Sequence, residues 1–232
     1  MDSELIGFDS VLFLEPHEDD IALSATGLYF SATKGQNEMV RVKTIHPRGL
    51  NQSESWVNAI GGIGSYLKGP LHKSIPSIDW ERRVKQGQYL HATPAVFSDE
   101  EVSSFENMLF IFLDEWFRGK KNPLVVAPLG LVHPDHILLA DSLRSVQRKR
   151  GMKFSLISYE DNPYRWKPGV GTHIHNRISE MSRGKDNYEI VDFNLDGLLK
   201  SDLFRKSYTT EVGVLNSNSA RHINKERYYI WR

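Results

Sequence analysis

The chain has 232 residues, with 29 basic and 29 acidic side chains and a formal net charge of zero. That length suits a single α/β domain over residues 1–232 with a core of its own, and the charge balance argues against a general electrostatic grip on nucleic acid or an anionic membrane. Cysteine is absent, which excludes disulfides, thiolate metal sites and cysteine nucleophiles. No apolar run approaches the ~18 residues of a membrane span. The opening MDSELIGFDS has neither the basic start nor the apolar run of a signal peptide, so the expected setting is the cytoplasm.

In chain order, Ser10 to Glu15 predicts a buried strand and Ile21 to Lys34 a helix ended by Gly35. Met39 to Ile45 predicts a second strand. The stretch 46–79 is rich in Gly, Ser and Pro and breaks the pattern, with room for a short helix in Asn51 to Tyr66. Trp80 to His91 predicts a helix and Ala95 to Phe97 a short strand. Asp99 is placed as the cap of an amphipathic helix over Glu100 to Arg118, with Val102, Phe105, Leu109, Phe112, Leu113 and Trp116 on its apolar side. Pro123 leads into the buried strand LVVAP. His133 to Lys149 predicts a helix, and its late basic residues suit a solvated helix C-terminus. Phe154 to Tyr159 predicts another strand. The last third is less regular: Gly197 to Tyr208 reads as helical, and Tyr228 to Trp231 as a final strand or a docked tail. Continuous apolar strands alternating with helices predict a mostly parallel sheet with helices on both faces.

Two polar clusters interrupt this pattern at matching places. Glu15, His17, Glu18, Asp19 and Asp20 crowd the end of the first strand. His133, Asp135 and His136 follow the LVVAP strand and precede a helix, with Pro134 suited to the first helical position and His133 to the cap. His133 and His136, three apart, then share one helix face. Parallel strands bring both clusters to one rim, where open α/β sheets bind ligands. One His and one Asp from the first loop, with one His from the second, make three ligands that suit Zn²⁺ with an open fourth position. Asp19 on one side and His133 with Asp135 on the other are left over for a base and an electrophile. No G-x-G-x-x-G opens the first helix, which argues against a dinucleotide site.

PHEDD before a small-residue helix, and later PLGLVHPDH, together resemble the signatures of the PIG-L/LmbE family of zinc-dependent N-acetylglucosamine deacetylases. SYEDNPYRW, Ser158 to Trp166, is similar to a stretch common in bacterial members. The resemblance implies a Rossmann-like three-layer sandwich. It implies zinc held by His17, Asp20 and His136, with Asp19 as the general base. His133, as imidazolium, would stabilise the oxyanion, and Asp135 would orient or charge His133. Arg83, beside Arg82, and Asp99 resemble family residues that touch the sugar. Glu18 stands where the family usually has Pro, and Ile21 where many members have Glu; neither position carries a ligand there.

The implied reaction removes an acetyl group from an N-acetylated amino sugar or glycoconjugate by means of metal-activated water. A metal phosphoesterase is the alternative, with Glu15 and Glu18 as extra bridging carboxylates. A non-catalytic zinc-binding sugar-recognition domain is another. Trp56, Tyr66, Tyr164 and Trp166 lie in segments that could stack on a sugar ring. The other histidines, His173 among them, lack matching spacing and read as structural or surface residues.

Overall fold

Strand β1 (Ser10–Glu15) is buried along its whole length, as a continuous apolar strand between two helical layers must be. The computed structural model describes residues 7–34, 40–45, 56, 65–67, 97–162, 164–166, 169–182, 187–195, 200, 204, 207 and 225–231. The predicted helix over 80–91, with Arg82 and Arg83, lies outside them.

After β1 come α1 (Asp20–Ser24), α2 (Thr26–Lys34), β2 (Val40–Thr44), β3 (Ser65–Leu67) and α3 (Asp99–Phe117). They are followed by β4 (Pro123–Pro128), α4 (Pro134–Lys149), β5 (Ser155–Tyr159), a 3₁₀ turn at Tyr164–Trp166, α5 (Val170–Ser182), β6 (Tyr188–Asn194) and β7 (Lys225–Trp231). The strands form one sheet in the order β3-β2-β1-β4-β5-β7-β6. From β3 to β5 every pairing is parallel. β7 runs antiparallel to β5, and β6 to β7. The protein is thus α/β with a mixed, mostly parallel sheet, and among the described residues no helix is long and apolar enough to cross a membrane.

Alternation along the strands divides the core in two. Val11, Phe13, Val40, Val42, Leu124 and Val126 pack with Ile21, Leu28 and Tyr29 of the first two helices. Leu12, Leu14, Val125 and Ala127 pack with Leu109, Leu139 and Val170 of α3, α4 and α5. Trp56 is buried against Tyr29, with ring centroids 5.1 Å apart; it is a core residue, not a sugar platform.

Two predicted helix starts are corrected. The run Ile21 to Lys34 is broken at Ala25, whose φ and ψ of −139° and 23° are not helical. The break has a tertiary cause: buried Glu226 of β7 accepts the Thr26 and Gly27 N–H groups at 3.0 and 2.8 Å, giving α2 its own N-terminal partner. Gly27 is required by this approach, because a Cβ there would meet Phe193 at 2.5 Å and Glu226 at 3.1 Å. The cap of α3 is Ser98, not Asp99: Ser98 and Glu101 form a reciprocal capping box. Asp99 is an exposed first-turn residue.

The antiparallel end of the sheet was only partly legible. β7 starts earlier than the sequence suggested, and β6 and α5 were not anticipated. Lys200 is helical as expected, and it is buried, donating to Leu23 O at 2.8 Å and pairing with Glu226. Glu226→Ala would leave this ammonium buried and α2 uncapped, and should destabilise the protein by about 3–5 kcal/mol. In thermal melts that is a midpoint lower by roughly 10 °C. Lys200→Met with Glu226→Gln should recover most of it. A Glu226→Ala midpoint equal to the parent's would contradict this role.

Candidate metal centre

β1, β4 and β5 are adjacent and parallel, with Phe13, Val126 and Ile157 in line across them. Their following loops therefore open on one rim. Chain order reverses between β1 and β4, where an open α/β sheet leaves its crevice. The first loop brings His17, Asp19 and Asp20, the second His133, Asp135 and His136, and the third Asp161.

In the first loop, the His17 N–H donates to Asp20 Oδ2 at 2.7 Å, folding that carboxylate back over the turn. Asp19 occupies the N-cap of α1, yet its side chain makes no capping hydrogen bond. Glu15 accepts from Thr44 Oγ1 at 2.6 Å and from the Ile21 N–H at 3.2 Å. It braces β2 and α1.

The second loop is bent hard before it reaches its histidines. Gly130 has φ of +85°, and a Cβ there would meet Arg177 Nη2 at 2.8 Å. Val132 has φ of +62°, while the His133 N–H reaches Leu131 O at 2.6 Å. This is a γ-turn of the rare, strained hand, on a β-branched residue that disfavours it. Arg177 holds Leu129 O at 3.4 Å from Nε and 3.3 Å from Nη2, and His173 Nε2 accepts the Val132 N–H at 3.4 Å. His133 then caps α4 with Pro134 behind it, its Nδ1 accepting the Asp135 N–H at 3.2 Å. The helix start predicted from Pro134 is present as expected.

Donor atoms from the two loops converge. His136 Nε2 lies 3.3 Å from His17 Nδ1 and 3.3 Å from Asp20 Oδ1. His17 Nδ1 lies 3.4 Å from Asp20 Oδ2. Ligands about 2.0–2.1 Å from a tetrahedral ion stand about 3.3–3.4 Å from one another; the two ring nitrogens meet that spacing, while Asp20 faces them with different oxygens, Oδ1 toward His136 and Oδ2 toward His17. His133 adjoins them, its ring centroid 4.7 Å from that of His17 and 5.4 Å from that of His136. His17, His133 and His136 form a buried group whose ring nitrogens lie within 4.8 Å of one another, and it can hold a metal ion.

Asp135 faces its expected partner His133 and, more closely, His17. Its Oδ2 is 3.0 Å from His17 Nε2 and 4.0 Å from His133 Nδ1, so the ring it directly orients is His17. Asp99 has no contact with the cluster among the described residues. Sequence reasoning passed over Asp161, which contacts His136 Nδ1; the signal was an acidic residue just past a third buried parallel strand. Tyr164 also lies at the site, its ring centroid 6.4 Å from His133 in a stacked arrangement and 5.6 Å from His136 edge-on.

The charges compensate one another. Burial opposes a proton on His17, but hydrogen bonds to Asp135 and Asp20 and their charges push its pKa up to about 10. Burial would raise Asp20, yet the charge of His136 and the hydrogen bond to His17 hold it down at about 2. His136 is also raised: burial works against its charge, and Asp20 and Asp161 outweigh burial. His133 goes the other way, well below its ordinary value, through burial and then the charges of His17 and His136. The expected imidazolium at His133 is therefore disfavoured in the metal-free protein. With Nδ1 accepting a backbone N–H, its proton sits on Nε2.

In comparisons with known proteins, no family model matches this chain, and no curated protein does.

These directions fix the pH response of metal-stripped protein. His17 and His136, raised above 6.5, stabilise the fold fully below that pH and lose the contribution as pH rises, His17 through about 10. His133, depressed below 6.5, contributes above that pH and loses it on acidification. Asp20 contributes above 3.8 and loses it as pH falls through about 2. Thermal melts of chelator-treated protein should show a site contribution that is greatest near pH 6.5. Metal requires unprotonated rings, so the midpoint gain on adding zinc should grow with pH. A gain that shrinks toward alkaline pH would refute this charge assignment.

Proposed function

We propose that this chain is a zinc-dependent hydrolase of PIG-L/LmbE type, with a Rossmann-like three-layer sandwich, that removes the acetyl group of an N-acetylated amino sugar or glycoconjugate. The observation that carries the reading is the buried convergence of His17, His133 and His136, with His17 Nδ1 and His136 Nε2 3.3 Å apart and the Asp20 carboxylate facing both, Oδ2 at 3.4 Å from the first and Oδ1 at 3.3 Å from the second. Two nitrogens and a carboxylate oxygen suit zinc and leave a fourth position open. Zinc held there supplies Lewis-acid polarisation of a carbonyl and an acidified water.

The chain's own groups divide the remaining work. Asp19, at the N-cap of α1 and between His17 and Asp20 in the first loop, takes the proton of the attacking water and passes it to the leaving amine. His133 presents its Nε2–H to the carbonyl oxygen as charge builds there. A neutral donor beside a dication costs less to hold than an imidazolium, and removing such a donor typically costs on the order of 10²–10³ in rate. Asp135 holds His17 by Nε2, leaving Nδ1 toward the ion. Tyr164 offers an aromatic wall beside His133 for a sugar ring or acyl methyl. Arg83 and Asp99 stay proposed sugar contacts on the resemblance alone. A cysteine-free chain fits a cytoplasmic setting.

The phosphoesterase reading is weakened by Glu15, whose two carboxylate oxygens are turned to Thr44 and Ile21 rather than toward a second metal. Acetate release from a panel of N-acetylated sugars, run against phosphate release from phosphomonoesters, separates the two. Asp19→Ala should retain zinc and lose at least about 10²-fold in turnover, the lower range for a positioned acid–base group. His136→Ala should lose zinc itself, read by metal content after dialysis. Full activity in Asp19→Ala would remove the base assignment, and undiminished zinc in His136→Ala would remove the ligand assignment.

A further inference from the structure

We propose that Asp161 is the positioning residue of the metal centre: its carboxylate decides which nitrogen of His136 faces His17 and Asp20, and also locks the loop that delivers His133. The inference rests on the metal-centre reading above and adds to it the residue that orients the centre.

Both residues are fully buried, at 0% exposure, so water cannot substitute for either partner. Asp161 Oδ1 contacts His136 Nδ1, while His136 Nε2 points at His17 and Asp20. A carboxylate only accepts hydrogen bonds, and a neutral imidazole has one N–H and one lone pair. Asp161 therefore draws the ring proton to Nδ1 and leaves the Nε2 lone pair facing the other donors. The second oxygen, Oδ2, accepts the Leu131 N–H at 2.8 Å, directly before the strained turn at Val132. One side chain thus sets a ligand's tautomer and fixes the loop that carries its neighbour.

The next residue fastens this group to the first motif. The Asn162 N–H donates to Ser24 Oγ at 3.0 Å, and its Nδ2 donates to Leu23 O at 3.2 Å. Both acceptors are in α1, the helix that begins with Asp20. Asn162 Nδ2 also reaches Lys225 O at 3.2 Å. Two consecutive residues after β5 hold both ligand loops, which β5 neither neighbours in sequence nor shares a helix with.

Asp161→Asn is the discriminating variant. Its carboxamide oxygen can keep the Leu131 N–H, which turns the NH₂ toward His136 Nδ1. That donor would force the ring proton onto Nε2 and occlude the lone pair. The metal-stripped variant should keep its folded circular-dichroism spectrum while zinc affinity, measured by chelator competition, weakens about 10–100-fold. The visible absorption of the cobalt-substituted variant should change in band position against the parent. Zinc binding as tight as the parent's would overturn the inference. Should the variant not fold, nitrogen-15 spectra of the zinc-loaded parent decide: a proton on His136 Nδ1 supports the role, and a proton on Nε2 overturns it. A parent that binds no zinc would sink the hydrolase reading and this inference together, whereas tight binding by Asp161→Asn sinks this inference alone.

Discussion

Everything at the centre of this protein depends on one electrostatic constraint: a buried group of imidazoles and carboxylates exists only where their charges cancel. His17, Asp20, Asp135, His136 and Asp161 are withdrawn from water at the carboxyl rim of the sheet. Isolated, each would resist ionisation there. Together, Asp20 and the rings of His17 and His136 favour one another's charged forms against the cost of burial, and His133 is pushed toward its neutral form among them. A divalent cation held by His17, His133 and His136 would answer the same demand by replacing ring protons.

The rest of the fold keeps this group from relaxing. The loop before His133 is pinned by Arg177 at Leu129, Asp161 at Leu131 and His173 at Val132. Such pinning is what a positive φ at a valine requires, because the strained turn persists only where its surroundings over-determine it. On the opposite side, Glu226 and Lys200 divide the first helical run at Ala25 and hold α1 as a separate short segment. Strands whose core contacts come from both faces make the rim stiff enough for spacings of a few tenths of an ångström to matter.

The two polar clusters were legible because they recur in one setting: a buried strand, a bend with proline or glycine, then a helix start. His133 as cap and Pro134 at the first helical position follow from local geometry alone. So does the alternation that separates Val11 and Phe13 from Leu12 and Leu14. Asp161 lies in the SYEDNPYRW stretch just past a buried strand, but that local signal assigns it no partner: its importance is a contact with His136, twenty-five residues earlier. The roles of Glu226 and Lys200 were equally hidden, since their partners lie about two hundred residues away at Thr26, Gly27 and Leu23. Asp135 was matched to its neighbour His133, which its carboxylate does reach at 4.0 Å, and space added His17 at 3.0 Å.

By itself the amino-acid order determined which segments bury, where helices can start, and which side chains able to bind metal end up at strand ends, because those follow from periodicity, capping and short-range sterics. Only the tertiary structure decided that β5 lies beside β4, that β7 returns antiparallel to plug the break between α1 and α2, and which carboxylate serves which ring. Pairings of that kind are made across the sheet, between residues whose separation along the chain carries no information about their distance in space.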